Sequence, residues 1–226
     1  MTEEELQKLI EDCPNLYHMA MRNSWPSIQQ HGLLPTNRLL DLFEVDVARQ
    51  LELTTRRRPA SVEISHPKLG GAVIRDQIPM HDHHLERCLA DGLTPREWHA
   101  RLNERVFFWL TEARLEKLLC AGAYRKQEHI AMKLDTASLI RDYRDRIELS
   151  PMNSGCTMPY PHPRGASTFL SINDYPYAFW RAKRSKMETA VELTVIGGVP
   201  NITDYVKEVS VRKCGGILDT LYTCAS

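Results

Sequence analysis

The chain has 226 residues, of which 42% are hydrophobic and 26% charged, a composition typical of a globular protein. Its 29 Lys and Arg residues balance 29 Asp and Glu residues, so bulk charge does not indicate a strongly basic nucleic-acid-binding protein. No apolar run approaches the roughly 20 residues that span a bilayer, and the acidic residues 3–5 are unlike the start of a signal peptide. We therefore expect a single domain over residues 1–226, with no membrane partner and a cytoplasmic location.

The cysteines are scattered along the chain, with no C-x-x-C pair and no dense spacing of the kind that marks a disulfide framework. In a cytoplasmic protein this pattern predicts reduced thiols. The six residues concerned are Cys13, Cys88, Cys120, Cys156, Cys214 and Cys224.

A histidine-rich cluster at residues 81–84 is the one obvious candidate for metal binding. Zinc needs three or four ligands arranged as a tetrahedron, and adjacent residues of one loop rarely converge on one ion. Asp82 is also a suitable N-cap for a helix that carries Leu85 and Leu89. We therefore predict a helix start here and no metal site.

The secondary structure alternates between short strands and helices. Thr2 and Glu5 form a capping-box pattern at the start of a helix that Pro14 ends. The predicted strands are 16–20, 62–64, 72–74, 105–110, 129–134, 146–150, 190–195 and 206–211. The predicted helices are 25–31, 38–53, one that begins at Thr94, one that begins at Thr111 and ends near Gly122, and part of 172–184. This mixture predicts an α+β fold rather than a regular βαβ series.

Several common catalytic and nucleotide-binding motifs are missing. No G-x-G-x-x-G follows a strand to open a helix, and there is no Walker loop. A G-x-S-x-G nucleophile elbow is absent as well. The sequence therefore gives no support to a Rossmann, P-loop or α/β-hydrolase protein.

Two loops contain polar residues that could have a function. The basic residues 56–58 form either a solvated loop or a phosphate-contacting loop in which Arg is the donor. Residues 151–165 are rich in Pro, Gly, Ser and His, and a loop of this length inside a compact domain is usually functional or mobile. Arg38 and Arg75 are weaker candidates for phosphate contacts.

Three features occur one after another along the chain: a histidine, an aromatic strand and a glutamate. His18, preceded by a tyrosine, lies on the first strand, and a helix and Gly32-Leu33 follow it. The strand 106–110 comes later, then Asn153, and finally Glu192 in a strand that leads to a Val-Pro pair. In this order, over about residues 15–210, the chain resembles the ADP-ribosyltransferase fold, and more specifically the DarT-type nucleic-acid ADP-ribosyltransferases.

This resemblance implies a fold of split antiparallel β-sheets surrounded by helices. It also implies transfer of ADP-ribose from NAD, as co-substrate, to a nucleic acid base of DNA or RNA, and an antitoxin partner if the chain is a toxin. The segment of about 38–104 has no counterpart in the family, and we interpret it as a divergent helical insertion that would contribute to acceptor recognition.

The resemblance also assigns roles to single residues. Glu192 and His18 would be catalytic, with Glu188 as the alternative carboxylate. The residues expected to contact NAD are His18, Gly32, Phe108, Asn153 and Arg164. Strand alternation allows only one of Phe107 and Phe108 to face the pocket, and the sequence leaves that choice open.

Two positions depart from the family pattern. Ala20 replaces the threonine that usually follows two residues after the histidine, and Pro151 replaces the aspartate of a D-x-N segment. These departures keep two alternatives open. One is a catalytically degenerate module that binds NAD or a nucleotide, and the other is a transferase that acts on a protein or a small molecule.

Overall fold

The structure, a computed structural model, describes residues 1–158 and 161–224. Within these residues, a large antiparallel sheet is accompanied by helices and by a separate two-stranded hairpin. The predicted α+β class is confirmed. No helix of the described part has both the length and the apolar character that crossing a membrane requires.

The helices and strands alternate along the chain. The helices are α1 Glu3–Asp12, α2 Trp25–His31, α3 Thr36–Leu42, α4 Val47–Thr55, α5 Asp82–Glu86, α6 Pro95–Leu102, α7 Glu112–Leu119, α8 Thr136–Tyr143 and α9 Tyr177–Lys183. The strands are β1 Asn15–Met21, β2 Val62–His66, β3 Gly70–Ile74, β4 Arg105–Trp109, β5 His129–Asp135, β6 Ile147–Ser150, β7 Leu170–Ser171, β8 Glu192–Ile196, β9 Val206–Lys213 and β10 Gly216–Thr223.

The large sheet consists of two halves that meet at its centre. Its strand order is β10-β9-β5-β1-β4-β8-β6-β7, and each neighbouring pair is antiparallel. Strand β1 pairs with β5 along its whole length. By contrast, β1 and β4 share one register pair, Tyr17 with Trp109. The sheet is therefore split between β1 and β4.

One face of the sheet carries the main hydrophobic core. Strands β1, β4, β5, β8 and β9 each contribute a fully buried side chain, in order Leu16, Phe108, Met132, Leu193 and Val209. Each such burial contributes about 2 kcal/mol. Because a slip of one residue would move a strand's apolar side chains to the opposite face, this burial fixes the register.

The opposite face is covered at the split by helix α7. Leu115 and Leu119 of α7 pack against Tyr17 and Met19 of β1 in a second apolar cluster. Thr111 caps this helix by accepting from the backbone N–H of Arg114. Helix α7 ends at Leu119, earlier than the predicted stop near Gly122.

The segment 38–104 contains helices and also the two predicted strands 62–64 and 72–74, which pair as the β2–β3 hairpin. The predicted helix 38–53 is divided into α3 and α4. Glu44, between them, has a φ of 51°, which a continuing helix cannot accommodate. Asp46 then caps α4 by accepting from the N–H of Arg49.

Helix boundaries agree with the capping patterns at two sites and differ at a third. The capping box predicted at Thr2 is present, and the helix predicted to begin at Thr94 starts with a capping box of its own. Asp82, however, is the first residue of α5, and His81 occupies the N-cap position. The Asp82 carboxylate instead lies 3.1 Å from Nε2 of His99 in α6, so it joins two helices.

Two features near the C-terminal end were not predicted. Residues 216–223 form the edge strand β10, whose side chains are exposed or half-exposed and therefore lack the alternating pattern that predicts a strand. In helix α9, Tyr177 is buried, whereas Phe179 is 49% exposed.

The prediction of reduced thiols is wrong for one pair of cysteines. Cys120, just after α7, and Cys214, between β9 and β10, form a disulfide across a separation of 94 residues. Cys13 and Cys88 are buried thiols, as expected. Spacing along the chain gave no indication of the pair, because the sheet topology alone brings the two residues together.

Candidate functional site

A cavity of about 310 Å³ opens at the split of the sheet. Its walls come from β1, the end of α2, the loop after β3, β4, the start of β8 and the loop 153–156. Small-molecule sites are typically concave pockets of about 300–1,000 Å³. Most of the residues predicted for the site, including His18, Gly32, Asn153 and Glu192, line this one cavity.

His18 occupies the wall formed by β1. Its Nδ1 lies 2.8 Å from the carbonyl oxygen of Phe107 on β4. Because a carbonyl only accepts, Nδ1 carries the proton and donates, which leaves Nε2 as an acceptor. The pKa of His18 is lowered to about 4, mainly by burial and also by the Arg75 guanidinium, while the hydrogen bond to Phe107 opposes the shift. The imidazole is therefore neutral at physiological pH.

Glu192 is the buried carboxylate of the cavity. It begins β8 and is 3% exposed. Its Oε2 accepts from the Ser154 hydroxyl at 2.7 Å, and both oxygens lie 3.2 Å from the Ser154 backbone N–H. Burial raises the pKa of Glu192 to about 7, against the opposing effects of Ser154 and of the nearby Arg164 and Arg114. A carboxyl group with this pKa can both accept and release a proton near neutral pH.

The alternative carboxylate, Glu188, lies outside the cavity lining. Its side chain forms a two-pronged ion pair with Arg114. The structure therefore favours Glu192 over Glu188 as the carboxylate that faces a ligand.

Strand β4 resolves the choice between the two phenylalanines. Phe107 lines the cavity. Phe108, the residue expected to contact NAD, is 0% exposed and belongs to the main core. Its ring centroid lies 5.8 Å from that of His18, so it supports the histidine from within the core. Phe108 therefore does not face the cavity, contrary to expectation, and Phe107 is the phenylalanine of the pair that does.

Gly32 ends α2 with a φ of 84°. A Cβ atom here would lie 2.4 Å from the Cα of Pro200, which no side chain can tolerate. The neighbouring Leu33 exchanges two backbone hydrogen bonds with Val199. Gly32 thus lets the end of α2 dock on the loop after β8, and it lines the cavity at this junction.

Two residues of the loop 151–165 were expected to contact NAD, and one of them lines the cavity. Asn153 lines the cavity, but Arg164 does not. Arg164 is 1% exposed, and its guanidinium donates to backbone carbonyls. The acceptors are the carbonyl oxygens of Asn153, Ser154, Cys156 and His162. The expectation that Arg164 contacts NAD is therefore wrong. Its side chain instead shapes the loop and places Ser154 against Glu192.

Arg75, a weaker candidate from the sequence, lies on the cavity wall. One of its terminal nitrogens donates to Met19 O at 3.2 Å, and its guanidinium stacks 4.9 Å from the ring centroid of Tyr124. Its Nε is buried without a hydrogen-bond partner. Among the described residues no carboxylate forms an ion pair with it. The carboxylates of Asp76 and Glu192 line the same cavity without forming an ion pair with this guanidinium.

Of the basic residues 56–58, Arg56 is exposed, as the solvated-loop interpretation expects. The side chains of Arg57 and Arg58 instead contact backbone carbonyls, and Arg58 also lines the cavity. Arg58 is buried, and its side chain donates to the carbonyl oxygens of Leu53 and Arg75. Arg57 donates to the Ile78 carbonyl at 2.8 Å. Both side chains hold the loop after β3 in place, which positions Arg75.

Comparison with known proteins gives a family without an assigned function. Residues 14–206 match a family described as "Family of unknown function (DUF7002)". The matched residues include every wall of the cavity described above. No curated protein matches the chain. Because the match covers most of its length, the chain belongs to this family of unknown function, DUF7002.

Proposed function

We propose that the chain is an NAD-dependent ADP-ribosyltransferase that modifies a nucleic acid base. The observation that carries this proposal is that one cavity combines the neutral His18, the buried carboxyl of Glu192 and the guanidinium of Arg75. NAD offers a partner to each of these groups, because it contains ribose hydroxyls, a cationic glycosidic centre and a diphosphate.

Glu192 would supply the electrostatic part of the reaction. Breaking the bond between nicotinamide and ribose develops positive charge on the sugar, as in glycoside hydrolysis. An ionised carboxylate beside that sugar stabilises the charge. The same group can then take a proton from the acceptor that attacks the sugar. The bonds from Ser154 keep a substantial fraction of Glu192 ionised near neutral pH despite its burial.

The other cavity residues would bind and orient the co-substrate. Nε2 of His18 is an acceptor for a ribose hydroxyl, and its orientation is fixed by the Phe107 carbonyl. Arg75 would pair with the diphosphate, because guanidinium binds phosphate oxygens well. The ring of Phe107 would pack against nicotinamide.

A nucleic acid base as the acceptor follows from the resemblance to the DarT-type enzymes, as does an antitoxin partner if the chain is a toxin. We also propose a cytoplasmic location. The wall that residues 72–80 add to the cavity is where an acceptor would approach. This wall belongs to the segment that has no counterpart in the DarT family.

A second candidate is a module that binds NAD or a nucleotide without turnover. Ala20 and Pro151 favour it, because each replaces a polar residue of the family pattern. Both candidates use the same cavity, so they differ in chemistry rather than in binding.

Labelled NAD separates the two candidates. The wild type, Glu192→Gln and Glu188→Gln would each be incubated with labelled NAD and with DNA, RNA or protein acceptors. We expect transfer to nucleic acid by the wild type and by Glu188→Gln, and its loss in Glu192→Gln. Equal transfer by Glu192→Gln and the wild type would contradict the assigned role. If NAD raises the melting temperature of all three proteins but no label transfers, the binding module is correct.

A further inference from the structure

Two cysteines and a glutamate meet where α7 ends beside the β9–β10 turn. Glu116 and Cys120 are four residues apart, so they lie on the same side of the helix end. Oε1 of Glu116 is 3.2 Å from Sγ of Cys120, which is bonded to Cys214. The backbone N–H of Gly215 donates to the same Oε1 at 2.8 Å.

The ligand atoms of these three residues lie within 4.8 Å of one another, and among the described residues this is the one such set of His, Cys, Asp or Glu side chains. In a tetrahedral zinc site, metal–ligand bonds of about 2.0–2.3 Å place neighbouring ligand atoms roughly 3.3–3.8 Å apart. The glutamate oxygen and the Cys120 sulfur are already close to that separation. Only the two sulfur atoms must move apart, which requires that the disulfide open.

We propose that, when the disulfide is reduced, Glu116, Cys120 and Cys214 form a binding site for a thiophilic divalent cation such as Zn²⁺. Two thiolates and one carboxylate are ligands that Zn²⁺ accepts, and water would complete the tetrahedron. The site would exist in one redox state only, since sulfur atoms joined in a disulfide cannot act as thiolate ligands.

A monothiol can reduce the disulfide between Cys120 and Cys214 in two exchange steps. A first monothiol, as its thiolate, attacks one sulfur of the disulfide and forms a mixed disulfide, which releases the other cysteine. A second monothiol attacks the mixed disulfide and releases the remaining cysteine. The two monothiols leave as their own disulfide, having supplied two electrons and two protons. Binding of Zn²⁺ then displaces the two protons from the thiols of Cys120 and Cys214.

Three contacts hold the proposed ligand residues close together in the metal-free protein. Helix α7 is fixed on β1 by Leu115 and Leu119. The β9–β10 hairpin is held in the large sheet by β5. The Gly215 N–H orients the Glu116 carboxylate, as partners behind a metal ligand commonly do.

Access to the site is open from solvent. Cys214 is exposed and Cys120 half-exposed, so both a reductant and an ion can reach them. Cys214 also lies beyond residues 14–206, the part of the chain that matches the family. None of the three residues lines the cavity, so the site does not depend on the proposed transferase activity.

The test measures bound Zn²⁺ on the full chain by competition with a chromophoric chelator, before and after reduction by a phosphine. We expect one Zn²⁺ per reduced chain and none at this site in the oxidised chain. The double variant Cys120→Ser with Cys214→Ser should lose this binding. Glu116→Gln should weaken it by about tenfold or more, since even residues behind the ligands change affinity by about 10–100-fold.

The histidine cluster provides the matched control. The rings of His81, His83 and His84 lie 4.0 to 6.1 Å apart by their centroids, although their nitrogens do not form a set of three within 4.8 Å. The double variant His83→Ala with His84→Ala should bind Zn²⁺ like the wild type. Binding that disappears in this variant but persists in the double cysteine variant would overturn the proposal.

A second readout uses the wild type alone, in case the cysteine variants fold poorly. Co²⁺ added to the reduced chain should give the near-ultraviolet charge-transfer absorption of thiolate ligands. Its appearance on reduction, and its removal by one equivalent of Zn²⁺, would support the site. Reduced wild-type protein without thiolate absorption would overturn it.

Discussion

Nδ1 of His18 donates to the carbonyl oxygen of Phe107 across 2.8 Å, and this bond links the two halves of the sheet at the cavity. It lies close to the one register pair of β1 and β4, Tyr17 with Trp109. The bond sets the tautomer of His18 and leaves Nε2 as an acceptor. The same contact therefore serves the fold and the proposed site.

Replacing His18 by Phe should lower both stability and transfer. The ring contact with Phe108 is kept, but the Phe107 carbonyl loses its donor, which costs about 1–3 kcal/mol when the group is buried. The acceptor nitrogen is lost as well, so we expect transfer to fall by about 10²-fold or more. Urea unfolding and a transfer assay measure the two effects.

His31 is the matched control for this substitution, since its Nε2 lies 3.1 Å from the Leu69 carbonyl, outside the cavity. His31→Phe should cost stability without a comparable loss of transfer. Similar losses of transfer in the two variants would show that the effect of His18→Phe is only structural.

The stability of Glu192→Gln relative to the wild type should depend on pH. In the folded protein the pKa of Glu192 is raised from 4.5 to about 7, so between these values the folded state binds more protons than the unfolded state. Wild-type stability then falls as pH rises through this window. The neutral glutamine does not titrate. The free energy of unfolding of Glu192→Gln should therefore exceed that of the wild type by an amount that grows from near zero at pH 4.5 to about 3 kcal/mol above pH 7. Urea unfolding at pH 5 and pH 8 checks this, and an advantage that is equal at both values would contradict it.

Ser154→Ala should shift the pH dependence of transfer. The Ser154 hydroxyl stabilises the ionised form of Glu192, and its loss should raise the pKa of the carboxyl. A hydrogen bond to a charged group is worth about 1.5–3 kcal/mol, so the acidic limb of the pH–rate profile should move up by about one pH unit. Ser171→Ala removes a comparable hydroxyl–carboxylate bond, to Asp174, and should leave the profile unchanged. If the two variants have the same profile, Ser154 does not control Glu192.

Arg75→Gln should weaken the binding of phosphate-containing ligands selectively. Without the guanidinium, we expect the affinity for ADP to fall by about tenfold, which corresponds to about 1.4 kcal/mol. Adenosine, which has no phosphate, should bind the variant and the wild type equally. Arg38→Gln is the control, because Arg38 is exposed and does not line the cavity. Calorimetric titration of both ligands measures the effect, and an equal loss for adenosine would contradict a phosphate contact.

The sequence was most informative where a residue's role depends on its immediate neighbours. The helix caps at Thr2 and Thr94 and the strand that carries Glu192 follow from local patterns. Local patterns also showed that only one of Phe107 and Phe108 can face the cavity, which Trp109 and Tyr124 line as well. The choice between the two needed the packing of β4 against the core.

Other features depend on contacts between distant parts of the chain. Ser154 reaches Glu192 across 38 residues, and Arg164 supports that contact from the far side of the loop. The Cys120–Cys214 bond joins residues 94 apart. No periodicity or spacing in the sequence encodes these distances, because the order of strands in the sheet decides them.

A crystal structure with bound NAD would test most directly whether this cavity is a co-substrate site. We predict that the nicotinamide-side ribose lies within hydrogen-bond distance of Glu192 and of Nε2 of His18, with the diphosphate against Arg75. NAD bound elsewhere on the chain, or a cavity that stays empty at saturating NAD, would contradict the proposed function.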